Sequence, residues 1–140
     1  MSVPVYRRNP NKLQAYADTI AMIKYTLQMC ENPKIFPKKC RWTICQRLID
    51  LCLDSEIKIR LANKIVANNV ELAKERLKLQ KQVLQNFEAM WGLMTIAYEL
   101  YSVPTQKIDT WSQLMLTAED RVSGWRKYDV DRFKKDFKSK

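Results

Sequence analysis

The feature that most constrains this chain is a spacing. Four long segments repeat apolar residues in alternating steps of three and four, the period of an α-helix with one buried face. The first runs from about residue 10 to 30, with the stripe Leu13, Tyr16, Ala17, Ile20, Ile23, Leu27 and Cys30. The second runs from about 38 to 66, through Trp42, Cys45, Ile49, Cys52, Ile59, Ala62 and Val66. Ile44, Leu48 and Leu51 widen that face, as in a helix buried on more than one side. The third runs from about 69 to 101, through Val70, Ala73, Leu77, Leu84, Phe87, Trp91, Met94, Tyr98 and Tyr101. Gln80 interrupts this stripe once; such a residue can set register or line a shared interface, and a half-exposed position is the simpler reading. The fourth runs from about 105 to 127, through Ile108, Trp111, Met115, Ala118, Val122 and Trp125.

The breaks between segments agree with the stripes. Asn9 is a candidate cap for the first helix, and Pro10 suits its first turn. Asn32, Pro33 and Pro37 end it. Asn68 followed by Glu71 reads as a capping box opening the third helix. Ser102, Val103 and Pro104 separate the third from the fourth. Connections this short make sequential helices antiparallel neighbours. The expected fold is therefore all-α, an antiparallel up-down-up-down four-helix bundle over residues 1–127. Its third helix would be roughly 50 Å long at 1.5 Å per residue. Residues 128–140 are polar, and the stretch from Arg126 to Lys140 holds seven basic residues against Asp129, Asp131 and Asp136. They read as a basic C-terminal tail, either a fraying extension or a disordered arm. Sustained stripes of this kind also permit self-association through a second helix face.

What the chain lacks narrows its chemistry. It has no histidine, the commonest general base and metal ligand, and only two glycines, Gly92 and Gly124. No glycine-rich phosphate loop, nucleophile elbow or dinucleotide fingerprint occurs. Glu71 with Glu75, and Glu119 with Asp120, are the nearest approach to acidic clusters and read as solvated helix faces. A ferritin-like metal site would need Glu-x-x-His pairs, which are absent. Cys30, Cys40, Cys45 and Cys52 include no C-x-x-C pair and read as small apolar residues of a reduced core. The expectation is a protein that is not an enzyme, with no cofactor and no metal. No apolar run approaches the roughly 18 residues of a membrane span. The N-terminus lacks the apolar stretch of a signal peptide. Both point to a cytoplasmic protein with no membrane partner.

The cations are what remain. The formal net charge is +10, a surplus that favours polyanionic partners. Lys34, Lys38, Lys39, Arg41 and Arg47 gather around the start of the second helix, and Lys58, Arg60 and Lys64 follow near its end. Lys74, Lys78 and Lys81 line one face of the third helix, off its apolar stripe. Rows of this kind can track a phosphate backbone. Trp42, Trp91, Trp111 and Trp125 all lie on or beside apolar stripes, so core packing is favoured over base stacking for all four. Nucleic-acid binding is then expected to be led by the backbone, with little sequence preference.

Three stretches resemble a known family. Ile35-Phe36-Pro37-Lys38-Lys39, followed by Cys45-Gln46-Arg47-Leu48-Ile49-Asp50, is similar to the F-P-K … Q-R-I-x-D stretch opening the second helix of accessory variability determinant (Avd) proteins. Ile96-Ala97-Tyr98-Glu99-Leu100 resembles their L-A-Y-E-L, which ends the third helix. Leu114 through Ser123-Gly124-Trp125 resembles the L … G-G-W close of the fourth, with Ser123 in place of the first glycine. The similarity spans roughly residues 11–127. The wider family includes four-helix-bundle proteins encoded in intervening sequences of ribosomal RNA genes. The resemblance implies a non-catalytic accessory protein of a diversity-generating retroelement, serving mutagenic retrohoming. Such a protein is a basic homo-oligomer, a pentamer, that binds a reverse transcriptase with its template RNA and cDNA. Lys38 and Arg47 match the family motif, and Arg47 is there implied to tie helices together. The alternative is a structural four-helix-bundle protein of the intervening-sequence type with no polymerase partner.

Overall fold

A computed structural model of the protein describes residues 10–137. Among them there is no strand, and the architecture is an all-α four-helix bundle. Helix α1 spans Pro10–Glu31, α2 Gln46–Lys64, α3 Val70–Tyr101 and α4 Thr105–Asp136. A 3₁₀ turn (Lys38–Cys40) and a π-helical turn (Arg41–Cys45) lead into α2. Each long helix packs on two others: α1 on α4 and α2, and α3 on α2 and α4.

The register between helices is marked by hydrogen bonds. Tyr16 donates to Glu56 at 3.3 Å, whereas Cys30, at the other end of α1, meets Cys45. Asn86 Nδ2 donates to Asp54 Oδ2 and Ser55 Oγ at 2.8 and 3.1 Å, and Arg76 Nη1 reaches the Ile65 carbonyl at 3.1 Å. Arg121 pairs with Asp18 at 3.3 Å, and Trp111 Nε1 donates to Thr26 Oγ1 at 2.8 Å. In each of these three pairs of helices, rising residue numbers on one meet falling numbers on the other.

Met22, Leu48, Ile59, Phe87, Met90, Trp111, Met115 and Trp125 are wholly buried. Ile59, Phe87, Trp111, Met115 and Trp125 stand on the predicted stripes, whereas Met22 and Met90 do not. On α1 the buried face is Ala15, Thr19, Met22, Ile23, Thr26 and Met29, one position before most of the predicted stripe, so that Ala17 is exposed and Tyr16, Ile20, Leu27 and Cys30 are half-buried. Thr26 lies inside the core; its hydroxyl donates to the Met22 carbonyl at 2.9 Å while accepting the Trp111 indole proton. Phe36 meets the edge of Trp111 at 6.4 Å and so fastens the loop after α1 to the interior.

Several sequence expectations need correction. The second helix does not run unbroken from 38 to 66. Its first turns are 3₁₀ and π, it ends at Lys64, and Val66 is 73% exposed. Asn68 is not the cap of α3: Asn69 is, its side chain accepting from Leu72 N at 2.8 Å. Gln80 is wholly buried rather than half-exposed. Residues 128–136 are not a tail but two and a half further turns of α4, with Asp129 and Phe133 buried. Gln80 and Asp129 explain each other. Gln80 Nε2 donates to Asp129 Oδ2 at 2.7 Å, and Arg76 Nε donates to the same oxygen at 2.8 Å. One polar break in each stripe is answered by the other, so both helices keep packing past it. Asn9 and residues 138–140 lie outside the described residues.

Candidate nucleic-acid interface

The cationic residues of the sequence divide into two groups. The first occupies the connection from α1 to α2. Asn32 starts it by a side-chain turn, its Oδ1 accepting from Lys34 N at 2.9 Å. Ile35 and Phe36 then insert into the core. Pro37 accepts from Cys40 N at 2.9 Å, closing the 3₁₀ turn. In the π turn the Gln46 N–H reaches back five residues to the Arg41 carbonyl.

That wide turn decides which side chains face out. In an α-helix, residues three or four before buried Cys45 would be buried as well. Here Cys40, five before it, takes the inward place and is wholly buried. Trp42 is swung outward and is 75% exposed, contrary to the core position its spacing predicts. Trp111 and Trp125 are wholly buried and Trp91 half-buried. Trp42 is the residue that sequence reasoning missed; no three-four periodicity can show a turn of five.

Lys34, Lys38, Lys39, Arg41 and Arg47 are all exposed around this connection. From Asn32 to Ile49 the sequence holds these five cations and no carboxylate. Lys39 lies 6.0 Å from the centre of the Tyr101 ring, at the end of α3, a cation–π arrangement. Lys38 and Arg41 border an open cleft of about 500 Å³, whose floor includes Phe36, Cys45 and Ile49 and whose rim includes Glu31. Arg47 opens instead on a groove of about 450 Å³ between α2 and α3, with Asp50, Leu51, Ala89 and Leu93. Among the described residues it makes no hydrogen bond or ion pair to another helix.

The second group is not brought to the same place. Lys58 pairs with Asp54 at 2.8 Å and Arg60 with Glu56 at 2.6 Å, so both are already partnered. Lys64, Lys74, Lys78 and Lys81 are exposed. At 1.5 Å per residue, the row on α3 stands about 30–40 Å from Tyr101 along the helix.

Other chemistry is sparse. Burial pushes the thiols of Cys30, Cys40, Cys45 and Cys52 above the usual range, that of Cys52 to about 12. A thiol held protonated is a poor nucleophile and a poor metal ligand. Burial also raises the Glu119 carboxyl, an effect opposed by its hydrogen bond with Trp91. Among the described residues, no group of three or more cysteine and acidic side chains is placed to hold a metal ion. No helix among them is long and apolar enough to cross a membrane. The cationic connection, with one indole in its midst, is thus the feature with the clearest binding chemistry. Compared with known proteins, the chain matches no family model, no curated protein and no solved structure.

Proposed function

We propose that this protein is a non-catalytic accessory protein that binds nucleic acid, led by its phosphate backbone, and a reverse transcriptase, as in the diversity-generating retroelements whose Avd proteins it resembles. The observation that carries the reading is the exposed cationic run from Lys34 to Arg47, uninterrupted by any carboxylate. Phosphates neutralised there release counterions, and affinity falls as salt rises.

Titrating a fluorescent RNA at several salt concentrations tests this. For single strands the slope of log K against log salt is about −0.7 per phosphate contact, so five engaged cations give about −3.5. A flat response overturns the reading. Lys38→Glu with Arg41→Glu should lower both the affinity and the slope. Co-purification with a reverse transcriptase encoded beside the gene tests the protein partner.

Self-association belongs to the same proposal. Leu53, Ile57 and Leu61 are 48%, 52% and 50% exposed and stand at successive steps of four along α2. An apolar row of this kind is suited to burial against another copy. Light scattering should give a homo-oligomer, a pentamer on the family resemblance, and Leu53→Gln with Ile57→Gln should dissociate it. A monomer for the unmodified chain at micromolar concentration counts against the assembly.

A further inference from the structure

Trp42 holds a large apolar ring in water while its near neighbours are packed away. Cys40 is wholly buried, and Ile44 and Cys45 are 5% and 4% exposed. Those buried side chains fix the inner face of the turn, with Trp42 on its outer side. Around it in sequence are Lys38, Lys39 and Arg41, all exposed, and no acidic residue.

This combination discriminates among polyanions. A duplex presents phosphates but keeps its bases stacked inside, so it would use the cations and leave the indole idle. An acidic peptide has no regular alternation of anionic groups with flat π faces to match cations on either side of an indole. A second copy docked two-fold symmetrically on this surface would set the same cations against themselves. A single strand offers, alternately, phosphates and unpaired bases with free π faces, and base–aromatic stacking is tolerant of sequence. We infer that Trp42 is a stacking platform for an unpaired base of single-stranded nucleic acid, with Lys38, Lys39 and Arg41 holding the flanking phosphates. The inference rests on the nucleic-acid reading above and narrows it from the backbone alone to backbone and base.

The test compares the full chain with Trp42→Ala and Trp42→Phe against three labelled probes: oligouridylate, an abasic single strand and a duplex of equal length. Trp42→Ala should weaken oligouridylate binding about tenfold, with duplex and abasic binding changed by less than about twofold and the salt slope unchanged. Trp42→Phe should recover most of the loss. Oligouridylate should quench the emission of the exposed indole in the unmodified protein, and that quenching should vanish in Trp42→Phe. Far-UV circular dichroism should show equal helix content in all three proteins, as expected for an exposed position. If Trp42→Ala binds oligouridylate as well as the unmodified chain while Lys38→Glu with Arg41→Glu does not, stacking is refuted and the nucleic-acid reading survives. If the unmodified chain binds no probe, both fall. If Trp42→Ala alters the oligomeric state but no nucleic-acid affinity, the indole is a protein contact and the inference is overturned.

Discussion

Gln80 on α3 donates a 2.7 Å hydrogen bond to Asp129 on α4, and neither side chain is reached by water. Arg76 Nε bonds the same carboxylate oxygen at 2.8 Å, and Arg132 approaches the other oxygen at 3.5 Å. The Arg76 guanidinium also lies 5.6 Å from the centre of the Trp125 ring and bonds the Ile65 carbonyl beyond α2. One carboxylate therefore organises the end of the bundle where α2, α3 and α4 meet.

Removing it should be costly. Asp129→Ala strands a nearly buried guanidinium, a change worth about 3–5 kcal/mol. Urea unfolding should show the loss as a lower midpoint. Replacing the cluster together, by Arg76→Met, Gln80→Leu and Asp129→Leu, should restore most of the stability, because no unpaired charge remains. Cutting the chain after residue 127 should be at least as damaging as Asp129→Ala, since Phe133 is lost too. A truncated protein as stable as the full chain would show that these last turns contribute nothing.

The Trp111 indole predicts a second stability loss. Its only hydrogen-bond partner among the described residues is Thr26 Oγ1, at 2.8 Å, with both side chains wholly buried. Thr26→Val keeps the shape and removes the acceptor, at a cost of about 1–3 kcal/mol. Trp111→Phe should cost less in the Thr26→Val background than alone. A double-mutant cycle with no coupling would show the bond to be energetically idle.

Gly92 gives a prediction of opposite sign. It sits inside α3, exposed, and a Cβ there would meet nothing within 4 Å. Gly92→Ala should raise stability by about 0.5–1 kcal/mol through helix propensity. Thermal unfolding measures it. A loss instead would reveal a close backbone approach by another chain in the assembled state.

Asp54 supplies a pH dependence. Hydrogen bonds from Lys58 and Asn86 hold its carboxyl below the usual carboxylate range, with the nearby Lys58 charge acting in the same direction. A carboxyl depressed on folding adds stability above its unfolded value, and that contribution is lost as pH falls through the folded one. The effect is modest because the side chain is 44% exposed and solvent screens the pair. A carboxyl NMR titration should place Asp54 below a model peptide, and Asn86→Asp should lower stability at neutral pH by setting two carboxylates together. An Asp54 midpoint at the model-peptide value would refute the assignment.

The legible part of this fold was its periodic part. Leu48, Phe87, Met115 and Val122 are buried at the steps that mark them in the sequence. The illegible parts are two kinds of departure from a single-helix pattern. Gln80 and Asp129 look like interruptions until they are seen to face each other, and a partner 49 residues away leaves no local trace. Trp42 fails differently: a local change of helical pitch moves it off the stripe, and pitch is invisible to a count that assumes 3.6 residues per turn. The grouping of Lys38 with Arg41 and apart from Lys78 was legible, but the surroundings were not: that Lys39 lies against the Tyr101 ring and Arg47 beside Ala89 and Leu93 requires the path of the chain.

The π turn has one more consequence. Between Cys40 and Cys45 the backbone carries a spare residue. Deleting Thr43 would leave the two cysteines four apart, still on one face of an ordinary helix, with Trp42 still turned away from it. The same deletion inside α2 would rotate half the helix by about 100° and expel Leu48, Cys52 or Ile59. Shortening should therefore be tolerated at this seam and rejected a few residues further on. If lineages of this protein have ever differed in length within the first half of the bundle, the slack to absorb it lies beside the outward-facing indole.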